Sequence, residues 1–195
     1  MALSVHPEAT EDPRTIRWVV PAGTFDFVGS PRVVPPALQA LRADGTLTRI
    51  VVEPAAVLLS TDGDWRTLGG PVRTALISAL AEPSGWQPAT GQDALPGAVL
   101  AAAVEQVIAG EVGAYVRSHG GSAHLVRVEG TVATIALDGA CADCPARGAT
   151  LGLRFGHAVE ALCPGAEVVL EENGRPLLLR WGRRPGAGRG PSSME

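Results

Sequence analysis

Gly139-Ala140-Cys141-Ala142-Asp143-Cys144-Pro145 decides the reading of this 195-residue chain. A strand pattern (131–137, Thr-Val-Ala-Thr-Ile-Ala-Leu) runs into it, and a helix pattern (148–162) leaves it. Both thiols therefore fall at or just before a helix N-terminus. Unbonded amides and the positive end of the helix dipole favour thiolate over thiol there. Thiolate is both the nucleophile and the metal ligand. Gly139 lets the chain turn tightly off the strand, and Pro145 suits a helix start, where its missing N–H costs nothing.

Two cysteines three positions apart can face one soft metal centre. They supply only two of the four ligands that a zinc site or an iron–sulfur cluster takes. The only other cysteine is Cys163. Cys163 and His157 both lie on the following helix, and at about 1.5 Å rise per residue Cys163 falls about 20 Å beyond the hook. A site closed within one chain is therefore disfavoured. A dithiol redox pair is a second reading, but such motifs usually follow a βαβ pattern early in a chain with an aromatic before the first cysteine. Here the motif follows a hairpin, and Ala140 precedes Cys141. A metal shared by two chains completes the count, since two hooks bring four thiolates around a two-fold axis. Ligation of an iron–sulfur cluster by a homodimer is the sharpest reading, with a dithiol–disulfide oxidoreductase and a zinc-bridged interaction module as the alternatives.

Working outward, two segments carry folding patterns. In the first, residues 15–20, 46–52 and 55–61 read as strands, with a short helix at 36–42. Asp62-Gly63 is a turn signal, Asp64 offers an N-cap, and a helix follows, firm from Pro71, with Val72, Leu76 and Leu80 on one face. Residues 83–96 are polar, rich in Pro and Gly, and read as a flexible linker. The second segment opens on one long helix over 97–118, stopped by His119-Gly120-Gly121. Strands at 123–128 and 131–137 follow, joined at Glu129-Gly130. After the cysteine hook come the helix, with Leu151, Phe155, Ala158 and Leu162 on one face, and closing strands at 166–171 and 176–181 around Asn173-Gly174. The fold class expected is α+β. Two small α+β domains are joined by the linker, and the C-terminal one runs helix, strand, strand, CxxC, helix, strand.

Composition narrows the function. Hydrophobic residues make up 46% and aromatics only 4%, so the cores must be aliphatic. The net charge of -4, with no basic block, argues against nucleic acid as a partner. No window approaches the roughly 18 consecutive apolar residues of a membrane span, and Met1–Pro13 lacks the apolar core of a signal peptide. A cytoplasmic protein is expected, in which a CxxC stays reduced. No Ser/His/Asp set, carboxylate pair or phosphate loop points to an enzyme. Gly-Ala-Gly-Arg-Gly at 186–190 has no helix after it and cannot be a dinucleotide loop.

The second segment resembles the C-terminal domain of the NifU-like proteins, the Nfu iron–sulfur carriers. The long helix, His119-Gly120-Gly121, the Val-rich hairpin, Leu137-Asp138-Gly139-Ala140-Cys141-Ala142-Asp143-Cys144-Pro145 and Thr150-Leu151 all match in order. The first segment is similar, more loosely, to the Nfu N-terminal domain through Pro13, Ile16-Arg17-Trp18, Ser30-Pro31 and Asp64-Trp65. It departs at Arg14 and at Pro35-Pro36, and Ala146-Arg147 replace a small polar pair after the hook. With 83–96 as linker and 183–195 as a disordered tail by composition, the resemblance implies residues 12–82 as an Nfu N-terminal-like domain and 97–182 as the cluster-binding domain. It further implies that Cys141 and Cys144 of each protomer bridge one labile [4Fe–4S] cluster, or alternatively a [2Fe–2S] cluster, in a homodimer. The cluster would come from an upstream assembly scaffold and pass to apo-protein clients without turnover of a substrate.

Other residues have plainer expectations. His119 is expected to cap or pack at its turn, and His124, alternating on its strand, to be a surface or a satisfied core residue. His157 should be solvated and Cys163 a small core residue. Trp18 and Trp65 are expected to pack together. Asp138 and Asp143 flank the hook, and their charges would oppose thiolate formation.

Overall fold

The computed structural model describes residues 4–89, 97–140, 147–172 and 175–181. Helices and sheets are mixed, and the class is α+β, as expected. The described residues form two separate hydrophobic cores.

The first core is built on a sheet of order β1-β2-β5-β4, all antiparallel: β1 (His6–Ala9), β2 (Thr15–Val19), β4 (Arg49–Glu53) and β5 (Ala56–Ser60). A short pair, β3 (Pro31–Val33) and β6 (Gln87–Pro88), lies beside it in sequence terms as a second sheet. The expected strands at 15–20, 46–52 and 55–61 correspond to β2, β4 and β5. Strand β1 has no apolar alternation, because all four of its residues are exposed, so no periodicity announces it. Helix α1 (Pro36–Ala43) opens directly after Pro35, with Pro36 at its first position, which a helix start tolerates.

Helix α2 (Trp65–Leu80) begins directly after the expected N-cap, Asp64, and is already helical over the six residues before Pro71, from which it was expected to be firm. The cap decides this: the Asp64 carboxylate accepts from the Arg66 amide at 2.9 Å, an interaction worth about 1 kcal/mol. Early helix formation also brings the Trp65 ring 6.4 Å from Trp18 and lets its indole N–H donate to the Arg14 carbonyl at 2.9 Å. Val72, Leu76, Ala79 and Leu80 are buried along one face, as the spacing predicts. The stretch expected to open the linker carries a 3-10 turn (Pro83–Gly85) and β6. Trp86 within it is only 7% exposed and belongs to the first core. Residues 90–96 of that linker lie outside the described residues.

The second unit runs α3 (Ala98–Ala109), α4 (Glu111–Ser118), β7 (Gly121–Glu129), β8 (Val132–Gly139), α5 (Arg147–Leu162), β9 (Glu167–Glu172) and β10 (Arg175–Trp181), and its core draws on α3, α4, β7, β8, α5 and β9. One long helix over 97–118 was the expectation, but two helices bent by 47° are found. Gly110 between them is extended, and a Cβ at Gly113 would fall 1.7 Å from the Ile108 carbonyl oxygen. The two glycines allow the break and the close approach, and Arg117 then donates to that same carbonyl at 3.0 Å. No single helix among the described residues is long and apolar enough to cross a membrane.

The sheet order is β10-β9-β8-β7. Strands β7 and β8 form the expected hairpin, with Gly130 at φ +60°. Strands β8 and β9 pair in parallel, Val132 opposite Glu167 through Ala136 opposite Glu171. Helix α5 is thus a crossover between parallel neighbours. Leu151, Phe155 and Val159 on its inner face bury against Ala133, Ile135 and Leu137 of β8 and Val168 and Leu170 of β9. Each large apolar side chain so buried contributes on the order of 1.5–3 kcal/mol. Residues 173–174 and the tail from 182 lie outside the described residues.

Candidate metal centre

The connection from β8 to α5 carries the two cysteines singled out from sequence. Residues 141–146, including Cys141, Asp143 and Cys144, lie outside the described residues. The ends of that connection are well defined. On one side, Gly139 takes φ +67°, and a Cβ there would meet the Gly120 carbonyl oxygen at 2.6 Å. Only glycine satisfies both the left-handed backbone and the close approach. The Ala140 amide then donates to that carbonyl at 3.2 Å. On the other side, α5 opens at Arg147, so the cysteines precede a helix N-terminus in the chain, as the sequence predicts.

The turn that faces Gly139 is His119-Gly120-Gly121. His119 caps α4, its amide donating to the Val116 carbonyl at 3.2 Å, and the Gly120 amide follows to Arg117 at 3.0 Å. The His119 ring packs edge-on against Tyr115 at 4.7 Å, and the Arg154 guanidinium of α5 lies over that same tyrosine ring at 4.4 Å. This Arg154–Tyr115–His119 stack ties α4 to the outer face of α5. Sequence reasoning did not single it out. The only signal is an i, i+4 aromatic pair on a short helix, and nothing in the sequence brings Arg154 to it.

The remaining candidate donors stand apart from the hook. Cys163 lies just past the last residue of the 16-residue helix α5 and packs partly buried against the second core. Burial pushes its thiol above the ordinary value, because the apolar surroundings disfavour thiolate. His124 pairs through Nδ1 with Asp138 at 3.0 Å on the open face of the hairpin. Asp138 is therefore an exposed, paired acid rather than a free charge aimed at the hook. His157 is exposed. Among the described residues no group of three or more His, Cys, Asp or Glu side chains is placed to hold a metal ion.

The donor set fits a soft metal centre in chemistry and falls short in number. By sequence the two thiols precede α5, and thiols suit iron or zinc, whereas the third cysteine follows the far end of that helix. The family model of the NifU-like domain matches residues 104–178, a span that begins in α3 and ends in β10 and includes the hook. No curated protein and no solved structure matches the chain.

Proposed function

Since a NifU-like domain occupies residues 104–178, and so ties the chain to iron–sulfur cluster biology, we propose that the protein is an iron–sulfur cluster carrier. Two protomers each contribute Cys141 and Cys144 to one labile [4Fe–4S] cluster. The cluster is cargo, received from an assembly scaffold and passed to apo-protein clients, and no substrate is turned over. The first unit serves these exchanges by contacting partners.

The observation that carries the reading is the donor count. A chain with two thiols just before α5 in sequence and its third past the far end, about 20 Å further along at about 1.5 Å per residue, completes a four-thiolate site by pairing with a second copy. Holding cargo through two ligands per chain also suits release, since each protomer has only two bonds to exchange. The constrained exit from β8 at Gly139 supports the same reading, because it fixes where the hook leaves the sheet.

Anaerobic reconstitution of the full chain with iron and sulfide tests this. Uptake of about four irons and four sulfides per dimer is expected, with Mössbauer parameters of a cubane cluster, and Cys141→Ala or Cys144→Ala abolishes both uptake and dimer formation. A protein that stays colourless and monomeric under these conditions refutes the proposal. Zinc bound in place of iron after oxygen-free purification would identify an interaction module, and insulin reduction with turnover would identify an oxidoreductase.

A further inference from the structure

The first unit holds a small polar cleft away from the elements that carry the hook. Its walls are Ser30 and Pro31 at the start of β3, Arg42 in the last turn of α1, and Thr48, Arg49 and Ile50 at the start of β4. Its volume is about 120 Å³. Ligand sites for whole small molecules run to about 300–1,000 Å³, so this cleft admits one functional group.

The charge in it is uncompensated. Arg14, Arg17 and Arg32 are all engaged, with Asp62, with Glu8 and Glu53, and with Gln87 respectively. Among the described residues neither Arg42 nor Arg49 has a carboxylate or hydrogen-bond partner for its side chain. Asp44, two positions from Arg42, is engaged by the Thr46 side chain and by the Thr46 amide at 2.8 Å, and these hydrogen bonds hold its carboxyl below the usual value. It therefore stays an anion facing its own turn. Ser30 and Thr48 add two hydroxyls that have no side-chain partner among the described residues at the same cleft. The sheet contributes a further donor. Val52 exchanges both of its main-chain hydrogen bonds with Gly29 at 2.8 Å, across the outer edge of β4. Ile50, two positions earlier on that strand, turns its amide to the same edge.

We propose that this cleft is a docking site for an acidic side chain of a partner protein, with Arg42 and Arg49 gripping one carboxylate. Guanidinium groups suit the planar, two-oxygen carboxylate because they offer parallel N–H donors. The size of the cleft selects a side-chain tip over a nucleotide or cofactor. The net charge of -4 on the chain makes the patch a local exception, which orients an acidic partner toward this edge.

The test is a titration of the ¹⁵N-labelled full chain, following backbone amides and arginine Nε–H signals. The probes are a blocked hexapeptide with two adjacent glutamates, its glutamine counterpart, and inorganic phosphate. The glutamate peptide should give saturable shifts at Arg42, Arg49 and Thr48, weakening as salt is raised. Arg42→Gln or Arg49→Gln should each weaken that binding about tenfold, the scale of one lost charge-assisted hydrogen bond, with unchanged thermal melting. Equal shifts from the glutamine peptide, or no saturable shift at these residues, overturn the proposal. Tighter binding of phosphate than of the glutamate peptide also overturns it, assigning the cleft to phosphate instead. Because none of these readouts requires a cluster, failure here leaves the cluster-carrier reading untouched.

Discussion

The Ala140 amide and the Gly120 carbonyl are hydrogen-bonded at 3.2 Å, joining the residue before Cys141 to the glycine that follows the cap of α4. Gly121 and Gly139 are partners in the β7–β8 ladder. The first residue of the cysteine hook is thereby anchored to a turn more than a dozen residues earlier in the chain. Whatever positions α4, including the Arg154–Tyr115–His119 stack, also positions the exit from β8. The exit needs glycine for two separable reasons, the sign of φ and the nearness of a carbonyl, and each can be tested.

Gly139→Ala should destabilise the second unit by about 2 kcal/mol or more, combining left-handed strain with collision against a main-chain oxygen. Gly45→Ala is the control: it has φ +79° but open space around the new methyl group, so only the backbone cost of about 1 kcal/mol applies. Urea unfolding of both variants decides the matter. Equal losses would mean that the contact with Gly120 contributes nothing.

Trp86→Ala in the full chain should cost about 3–5 kcal/mol, as expected for a buried large aromatic. Its ring meets Phe25 edge-on at 5.0 Å, and its indole N–H donates to the Ala79 carbonyl at 3.0 Å. Trp86→Phe should recover all but about 1 kcal/mol, the share of the lost hydrogen bond. A Trp86→Ala protein that melts like the parent would return residues 83–88 to the status of a linker.

Much of this arrangement was legible in the sequence, and what was missed has physical causes. The stripe Val72, Leu76, Leu80 and the hairpin around Gly130 were visible because burial imposes a period on the residues. Strand β1 was invisible because it is exposed on every residue and is held by main-chain pairing to β2. Trp86 was hidden among Pro, Gly and polar neighbours, and a single anchoring aromatic has no periodicity to read. The break at Gly110 was passed over because a glycine penalty of about 1 kcal/mol does not by itself end a helix; the contact of Gly113 with the Ile108 carbonyl is tertiary. The cap at Asp64 was readable, but the firmness of the turns before Pro71 was not, because it rests on the tertiary packing of Trp65 against Trp18. For the candidate site, the positions of the flanking strand and helix were readable from pattern. The tie between Gly139 and Gly120 was not, because it joins positions far apart in the chain.

Asp12 should make the first unit more sensitive to acid. Its carboxylate accepts from the Arg14 amide at 3.0 Å and from the Thr15 hydroxyl at 2.8 Å, and these bonds lower its value below the ordinary carboxylate range. A depressed folded value contributes stability that is present above the unfolded value and is lost as pH falls through the folded one. Asp12→Asn should therefore lower the melting temperature slightly at neutral pH and narrow the gap to the parent in acid. An unchanged gap from neutral to strongly acidic pH would show that the turn does not depend on the charge.

Cys163 provides the sharpest separation between a packing thiol and a ligand. Burial raises its value, because the apolar surroundings disfavour the charged thiolate. The stability linked to that shift is fully present below the unfolded thiol's ordinary value of about 8.5 and is lost as pH rises from there through the raised folded value. Alkylation of Cys163 in a Cys141→Ser/Cys144→Ser background should be severalfold slower in the native protein than in urea. Cys163→Ala removes one sulfur from a partly buried position and should cost about 1 kcal/mol or less, while iron and sulfide uptake per dimer stays at the parental level. If Cys163→Ala loses the cluster as completely as Cys141→Ala, the third thiol is a ligand. The site would then have to draw on both ends of α5, and the two-jaw arrangement would fail.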